Sequence, residues 1–265
     1  MSRVDYTRAD VVQAFRDIGV RPGDVVFGHS SVAMLGVPEV GLREDAIADL
    51  FLSAFREAAG PDGTWILPAF TYSYTKGEVF DPASTPPTKD MGLLPNALWR
   101  HPDAVRSLDP IFSVIALGAR AEEMTRGVPE SCFGDDCLYA RLIAVDGANC
   151  NIGLGSQSSL LHYVEQRVAV PYRFLKTFEG TSVIDGEPVP TAITYNVRDL
   201  DCPAHNAYFR RVDRDGRKDG SIAAARLGRG EVNLIRARRM DELACSGLAR
   251  DPDYLVLGDR AAGDG

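Results

Sequence analysis

Short, unbroken apolar runs that end in small or hydroxylated residues, each followed by a helix-like apolar period, recur along this chain. Val25-Val26-Phe27 runs into Gly28-His29-Ser30-Ser31, and Thr64 to Phe70 ends in Thr71-Tyr72-Ser73-Tyr74. The run through Asn151-Ile152-Gly153-Leu154-Gly155 gives way to Ser156-Gln157-Ser158-Ser159. Such runs read as buried strands, and their alternation with helices favours a parallel sheet. Between the first two, Ala46, Ile47, Leu50, Phe51, Ala54 and Phe55 recur at helical spacing, with Gly60 as the stop. The chain is therefore expected to be α/β, with a mostly parallel central sheet flanked by helices and its site outside the carboxyl ends of the strands. Residues 1–265 are read as one domain.

Thr7 and Asp10 predict a capped first helix closed by Gly19. Residues 42–59, 121–127, 137–145 and 240–249 carry further helical patterns, Met91 leads into another that ends near Arg100, and Ile111 to Leu117 reads as a strand. Prolines at 82, 86 and 87 make residues 81–90 a loop. Arg173–Ile184 and Glu187–Val197 predict a hairpin around Asp185-Gly186, extending the sheet in antiparallel fashion in the C-terminal third. Asp213 to Gly220 resembles a calcium loop only superficially and is read as a solvated turn. The tail after Gly258 is expected to fray.

A net charge of -8 argues against a nucleic-acid partner, which needs a basic face. No run approaches the ~20 apolar residues of a membrane span, so a cytoplasmic protein without a membrane partner is expected. Five cysteines without a CxxC pair fit reduced thiols. Exposed sheet edges allow a homodimer.

The chemistry concentrates where the third run opens into a helix. His162 and Glu165, three residues apart, share a helical face, so the carboxylate can orient the ring or hold a substrate cation beside it. Spacing alone leaves an ordinary surface pair equally open. The Gly28-His29-Ser30-Ser31 turn offers N–H groups and hydroxyls to an anion such as a phosphate, with an unliganded polar turn as the simpler reading. Arg106 could serve a phosphate and Asp109 an ammonium, although Asp before Pro is also an ordinary turn starter. Cys150 lies in an apolar run and reads as a buried thiol rather than a nucleophile.

Taken in order, these pieces resemble the aminoglycoside 3-N-acetyltransferase family. They are Gly23-Asp24-Val25-Val26 with His29-Ser30-Ser31, Gly63-Thr64 with Leu67-Pro68-Ala69-Phe70-Thr71, Met91-Gly92, Arg106-Ser107-Leu108-Asp109-Pro110, Phe133-Gly134, and Gly153-Leu154-Gly155 with Leu161-His162-Tyr163-Val164-Glu165. The resemblance implies an acetyl-CoA-dependent N-acetyltransferase acting on the amine of an aminoglycoside or related amino sugar, with no metal. It implies His162 as catalytic base with Glu165, and a coenzyme site from His29, Ser30, Ser31, Thr71, Arg106 and Ser107. Asp109, Tyr72 and Glu165 would meet the amine. Resistance enzymes of the family carry His-Pro where this chain has Asp109-Pro110, and they match the hairpin poorly. Two rival readings remain at this point. One is a metal-dependent hydrolase built on His162, Glu165, Cys202 and His205; the other is a non-catalytic coenzyme A-binding relative.

Overall fold

The apolar runs Val25–Phe27 and Thr64–Pro68 are buried throughout, as strands covered on both faces must be. A computed structural model, which describes residues 4–258, gives the elements around them. In chain order they are α1 (Arg8–Asp17), β1 (Val25–Phe27), α2 (Glu44–Ala59), β2 (Thr64–Pro68), α3 (Leu93–Trp99), β3 (Val105–Arg106), β4 (Val114–Gly118), α4 (Ala121–Thr125) and α5 (Leu138–Ala144). There follow β5 (Ala148–Ile152), α6 (Leu160–Arg167), β6 (Arg173–Ile184), β7 (Glu187–Arg198), α7 (Arg210–Lys218), β8 (Ala223–Leu227), β9 (Gly230–Arg236) and α8 (Ala237–Arg250). Thr7 caps α1 through its reciprocal hydrogen bonds with Asp10.

Seven strands form one sheet in the order β3-β4-β2-β1-β5-β9-β8. β1 runs parallel to both β2 and β5, and antiparallel pairs continue the sheet on either flank. Side chains alternate across it. Val26, Trp65, Leu67, Ile115, Cys150 and Ile152 pack with α1, α2 and α3, whereas Val25, Phe27, Ile66, Val114 and Ile235 pack with α4 to α8. The same alternation turns Asn149 and Asn151 of β5 toward the second face, and Asn233 of β9 sits opposite Asn151. All three asparagines are fully buried. A polar layer thus replaces the apolar core where β5 approaches the loop into α6.

The backbone closes tightly there. A Cβ on Gly28 would lie 1.5 Å from the Cys150 carbonyl oxygen, so only glycine lets β1 leave the sheet beside β5. Gly153 adopts a φ of 67°, and a Cβ there would meet the Ser31 carbonyl oxygen at 2.3 Å. No helix among the described residues is long and apolar enough to cross a membrane.

Several expectations need correction. The hairpin β6–β7 forms its own two-stranded sheet instead of extending the large one. Its edges are bridged instead by loop residues, Phe80 to Ser182 and Ser131 to Thr194, so neither strand pairs with the main sheet. Ile111 and Phe112 belong to the turn before β4, because Asp109 captures their N–H groups. Residues 210–218 are helical, since Arg211 donates to the carbonyls of Asp253 at 2.7 Å and Val256 at 2.6 Å and anchors α7 to the C-terminal segment. Strands β8 and β9 have no counterpart among the sequence expectations. The tail after Gly258 lies outside the described residues.

Candidate active site

The site is assembled where β1 and β5 end side by side. Beyond β1, Ser31 N–H donates to the Ile152 carbonyl at 2.8 Å, and Ile152 N–H donates to the His29 carbonyl at 3.0 Å. The His-Ser-Ser turn therefore follows β5 to the edge of the sheet. The buried asparagines shape the facing loop. Asn151 accepts from His29 N–H at 3.1 Å and donates to the carbonyls of Gly155 at 2.9 Å and Gln157 at 2.7 Å. Asn233 donates to the Leu154 carbonyl at 2.7 Å. With its carbonyls drawn inward to these amides, the loop delivers Ser159 as the N-cap residue of α6.

His162 lies in the first turn of that helix, its ring between Phe133 and Phe209 at centroid distances of 5.5 and 5.3 Å. Nδ1 is 2.6 Å from Glu165 Oε2, with the imidazole 16% exposed and the carboxylate 0%. Two groups from the hairpin's root complete the carboxylate's surroundings. The Tyr172 hydroxyl donates to Oε1 at 3.1 Å, and Arg173 Nε lies 2.6 Å from Oε2. The Arg173 Nε–H is not aimed at that oxygen, so their contact is a coulombic pair rather than a directed hydrogen bond. Burial holds the His162 imidazole below its ordinary range, against the pull of Glu165 and with the help of the Arg173 charge. With Nδ1–H donated to the carboxylate, Nε2 carries the free lone pair. His29, lowered to about 4 by burial and by His162, is likewise neutral near pH 7 and makes a long 3.4 Å contact with Ser159 Oγ.

Other residues singled out in the sequence have different surroundings. Ser30 and Ser31 are half-buried, and their hydroxyls take no partner among the described residues. Thr71 is buried, its hydroxyl donating to the Pro110 carbonyl at 2.8 Å. Arg106 gives its guanidinium to the carbonyls of Ala69, Pro82 and Thr85 and lies over the Phe80 ring, clipping the proline-rich loop to the sheet. Its pKa falls to about 10 through burial. Ser107 Oγ accepts from Val114 N–H at 2.9 Å. Asp109 is 6% exposed and accepts from Ile111 and Phe112 N–H, both at 2.8 Å, while burial lifts its carboxyl to about 6. Tyr72, at a φ of 56°, is half-buried and joins His162 through an aromatic chain: it meets Phe112 at 5.4 Å, Phe112 meets Phe133 at 4.9 Å, and Phe133 meets His162. Cys150 is buried, its thiol pushed up to about 12.

Glu165 thus faces His162 and the interior, and its oxygens are occupied by groups of the chain itself. Among the described residues no three His, Cys, Asp or Glu side chains gather in a way that could hold a metal ion. His205 instead packs against Tyr172, with ring centroids 6.0 Å apart. Sequence reasoning did not single out Asn149, Asn151, Asn233, Tyr172 or Arg173. The asparagines carried a signal, since polar residues at alternate positions of an otherwise apolar strand mark one face as polar.

Comparison with known proteins supplies a further line of evidence. Residues 27–248 match the family model described as aminoglycoside 3-N-acetyltransferase. Aminoglycoside N(3)-acetyltransferase IV from Salmonella sp is 30% identical over 250 residues, covering 94% of this chain and 89% of the relative. The crystal structure of a histidine-to-alanine mutant of aminoglycoside acetyltransferase AAC(3)-IVa, in complex with a gentamicin, aligns with a TM-score of 0.76 and 29% identity over 95% of this chain and 92% of that one. The fold is shared as well with AAC-IIIb in a binary complex with CoASH, at a TM-score of 0.80 and 24% identity over 92% of this chain and 96% of that one.

Proposed function

The chain belongs to the aminoglycoside 3-N-acetyltransferase family, and from that premise we propose that it transfers the acetyl group of acetyl-CoA to an amine of an aminoglycoside or related amino sugar, with His162 as general base. The observation that carries the role of His162 is its geometry. One ring nitrogen is fixed by a buried carboxylate, and the other keeps its lone pair at a partly exposed edge beyond the parallel strands. An alkylammonium is not nucleophilic, so the amine reacts in its neutral form. His162 Nε2 takes the proton that this amine sheds as its nitrogen bonds to the thioester carbonyl carbon. It then gives a proton to the sulfur as the carbon–sulfur bond breaks, leaving an amide and a free thiol. Glu165 holds the tautomer and stabilises the transient imidazolium.

The surroundings favour a narrower set of binding residues than the sequence suggested. The hydroxyls of Ser30 and Ser31, without a partner among the described residues and with the neutral His29 ring beside them, fit a phosphorylated coenzyme through hydrogen bonds. Arg106 and Thr71 already bond to backbone, so we leave them out of the coenzyme site. Tyr72, half-buried at the head of the aromatic chain, suits the amine substrate better than the sealed Asp109 or Glu165. The thiol of Cys150 is too deeply buried and too weakly acidic to carry an acyl group.

Thiol release from acetyl-CoA, measured against aminoglycosides bearing a free 3-amino group and against simpler amino sugars, tests the reading. Turnover with one of these amines, abolished in His162→Gln, is expected. Undiminished turnover in that variant would remove His162 from the chemistry.

A further inference from the structure

The hairpin's root brings a cation to a position that the acyl-transfer reading leaves unused. Arg173, the first residue of β6, has a side chain only 2% exposed. Its Nη1 donates to the Asn196 carbonyl of β7 at 3.1 Å, while Nε reaches the same Glu165 oxygen that holds His162. One buried oxygen therefore lies between an imidazole and a guanidinium.

We propose that Arg173 is a positioning residue for the catalytic base: its charge compensates Glu165, so that His162 is oriented by the carboxylate yet remains unprotonated and able to accept a proton at neutral pH. The proposal rests on His162 being the base. The physical argument is a balance of charges. A lone buried carboxylate at hydrogen-bond distance favours imidazolium and would occupy the base with a proton before substrate arrives. A second charge of opposite sign on the same oxygen offsets that pull without releasing the ring. A buried ion pair is by itself a poor source of stability, so fold stability alone gives weak reason for one here.

The charged and titratable groups that face His162 are few. Among the described residues, Glu165 comes from its own helix, Tyr172 and Arg173 from the segment entering β6, Tyr195 from β7, where its phenol meets Arg173 and burial keeps it neutral, and His29 from the turn after β1. His29 is neutral in the working range, and Phe133 and Phe209 bring no charge. Arg173 is then the cation that balances Glu165, and it arrives on an element separate from the main sheet. The position of the hairpin is thereby coupled to the acidity of the base.

Two measurements on Arg173→Gln and Arg173→Lys test this. The first is the pH profile of kcat/KM for thiol release; the second is an NMR titration of the labelled histidine rings, with His162→Gln used to assign the His162 resonance. In the Gln variant both the acid limb and the His162 titration are expected to move up by about one pH unit, the usual reach of an uncompensated neighbouring charge. The Lys variant keeps the charge and is expected to stay within about 0.3 units of the parent while losing turnover to altered geometry. A folded Gln variant with an unmoved His162 titration would overturn the proposal. Should the Gln variant not fold, Arg173→Met takes its place, removing the charge while keeping an apolar stem of similar length: the same upward shift is expected, and an unmoved His162 titration in it would overturn the proposal. Absence of thiol release from every amine would sink the acetyltransferase reading, while the titration arm still decides on Arg173.

Discussion

Two buried charged clusters, one at the start of α6 and one in the loop before β4, look alike in sequence and differ in what their polar atoms touch. Around Arg106 and Asp109, the guanidinium faces the carbonyls of Ala69, Pro82 and Thr85, and the carboxylate faces two N–H groups and the Cys132 thiol. At His162, one nitrogen is fixed just as firmly, but the other takes no partner among the described residues, and the ring is partly exposed. Both clusters bear the cost of burying charge, yet only His162 combines a free basic lone pair with partial exposure to solvent. An unspent valence at an accessible atom, more than burial or charge, separates a group that reacts from a group that holds a loop.

The contrast breaks most readily at its strongest point. His162→Ala is expected to lower kcat by roughly a hundredfold to ten-thousandfold, the range for loss of a general base, with coenzyme affinity nearly intact. Steady-state kinetics with isothermal titration of coenzyme A would check it, and a parallel loss of coenzyme binding would make His162 a binding residue instead. Arg106→Ala should do the reverse. It strands several buried carbonyls and is expected to cost about 3 kcal/mol of stability in urea melts. The folded fraction should turn over within about threefold of the parent, a residual change small against the loss of a base. A hundredfold loss of kcat in well-folded Arg106→Ala would return that residue to the site.

How much of this was legible follows from what each residue depends on. The capped α1, the stripe of α2 and the buried β1 and β2 rest on local patterns, and they stand where those patterns predicted. The His162–Glu165 contact is local too, since three residues on a helix bring side chains together. Arg173 and Tyr172 reach the same carboxylate from the far side of a turn, and nothing in spacing foretells which buried acid a hairpin's first residue meets. The hidden role of Arg106 has the same origin: its partners are backbone carbonyls, which a list of side chains does not reveal. Helix α7 was hidden by its composition, because eight of its nine residues are Arg, Asp, Lys or Gly and its anchor is the distant C-terminal segment. Strand β9 pairs with β5 from across the whole of the hairpin and α7.

Glu165→Gln sharpens the comparison within the active cluster. Gln can still accept from Nδ1–H, so the ring keeps its place, but the imidazolium loses its counter-charge. A drop of about 30-fold in kcat is expected, smaller than the hundredfold or more for loss of the base itself. The pH profile adds direction. With His162 as the proposed base, activity is expected to fall as pH drops through its pKa, so removing the carboxylate lowers that pKa and moves the acid limb to lower pH. Arg173→Gln moves it the other way. Two shifts of the same sign would break the charge balance on which both assignments depend.

The smallest effect falls on the structural cluster and concerns stability alone. Burial raises the Asp109 carboxyl to about 6 in the folded chain, against an ordinary value of 3.8, despite the N–H groups that favour its ionised form. A folded-state pKa above the unfolded one means that the folded chain binds this proton more tightly. Its contribution to stability is therefore fully present below the unfolded value and is lost as pH rises through about 6. Asparagine keeps the acceptor oxygen for Ile111 and Phe112 N–H and has no proton to lose. Between pH 5 and 7 the parent should lose on the order of 1 kcal/mol relative to Asp109→Asn, a difference that urea melts at the two pH values resolve. If the two proteins instead track each other across that window, Asp109 is not the buried, proton-binding turn residue described above, and its carboxylate would have to reach solvent or a substrate ammonium after all.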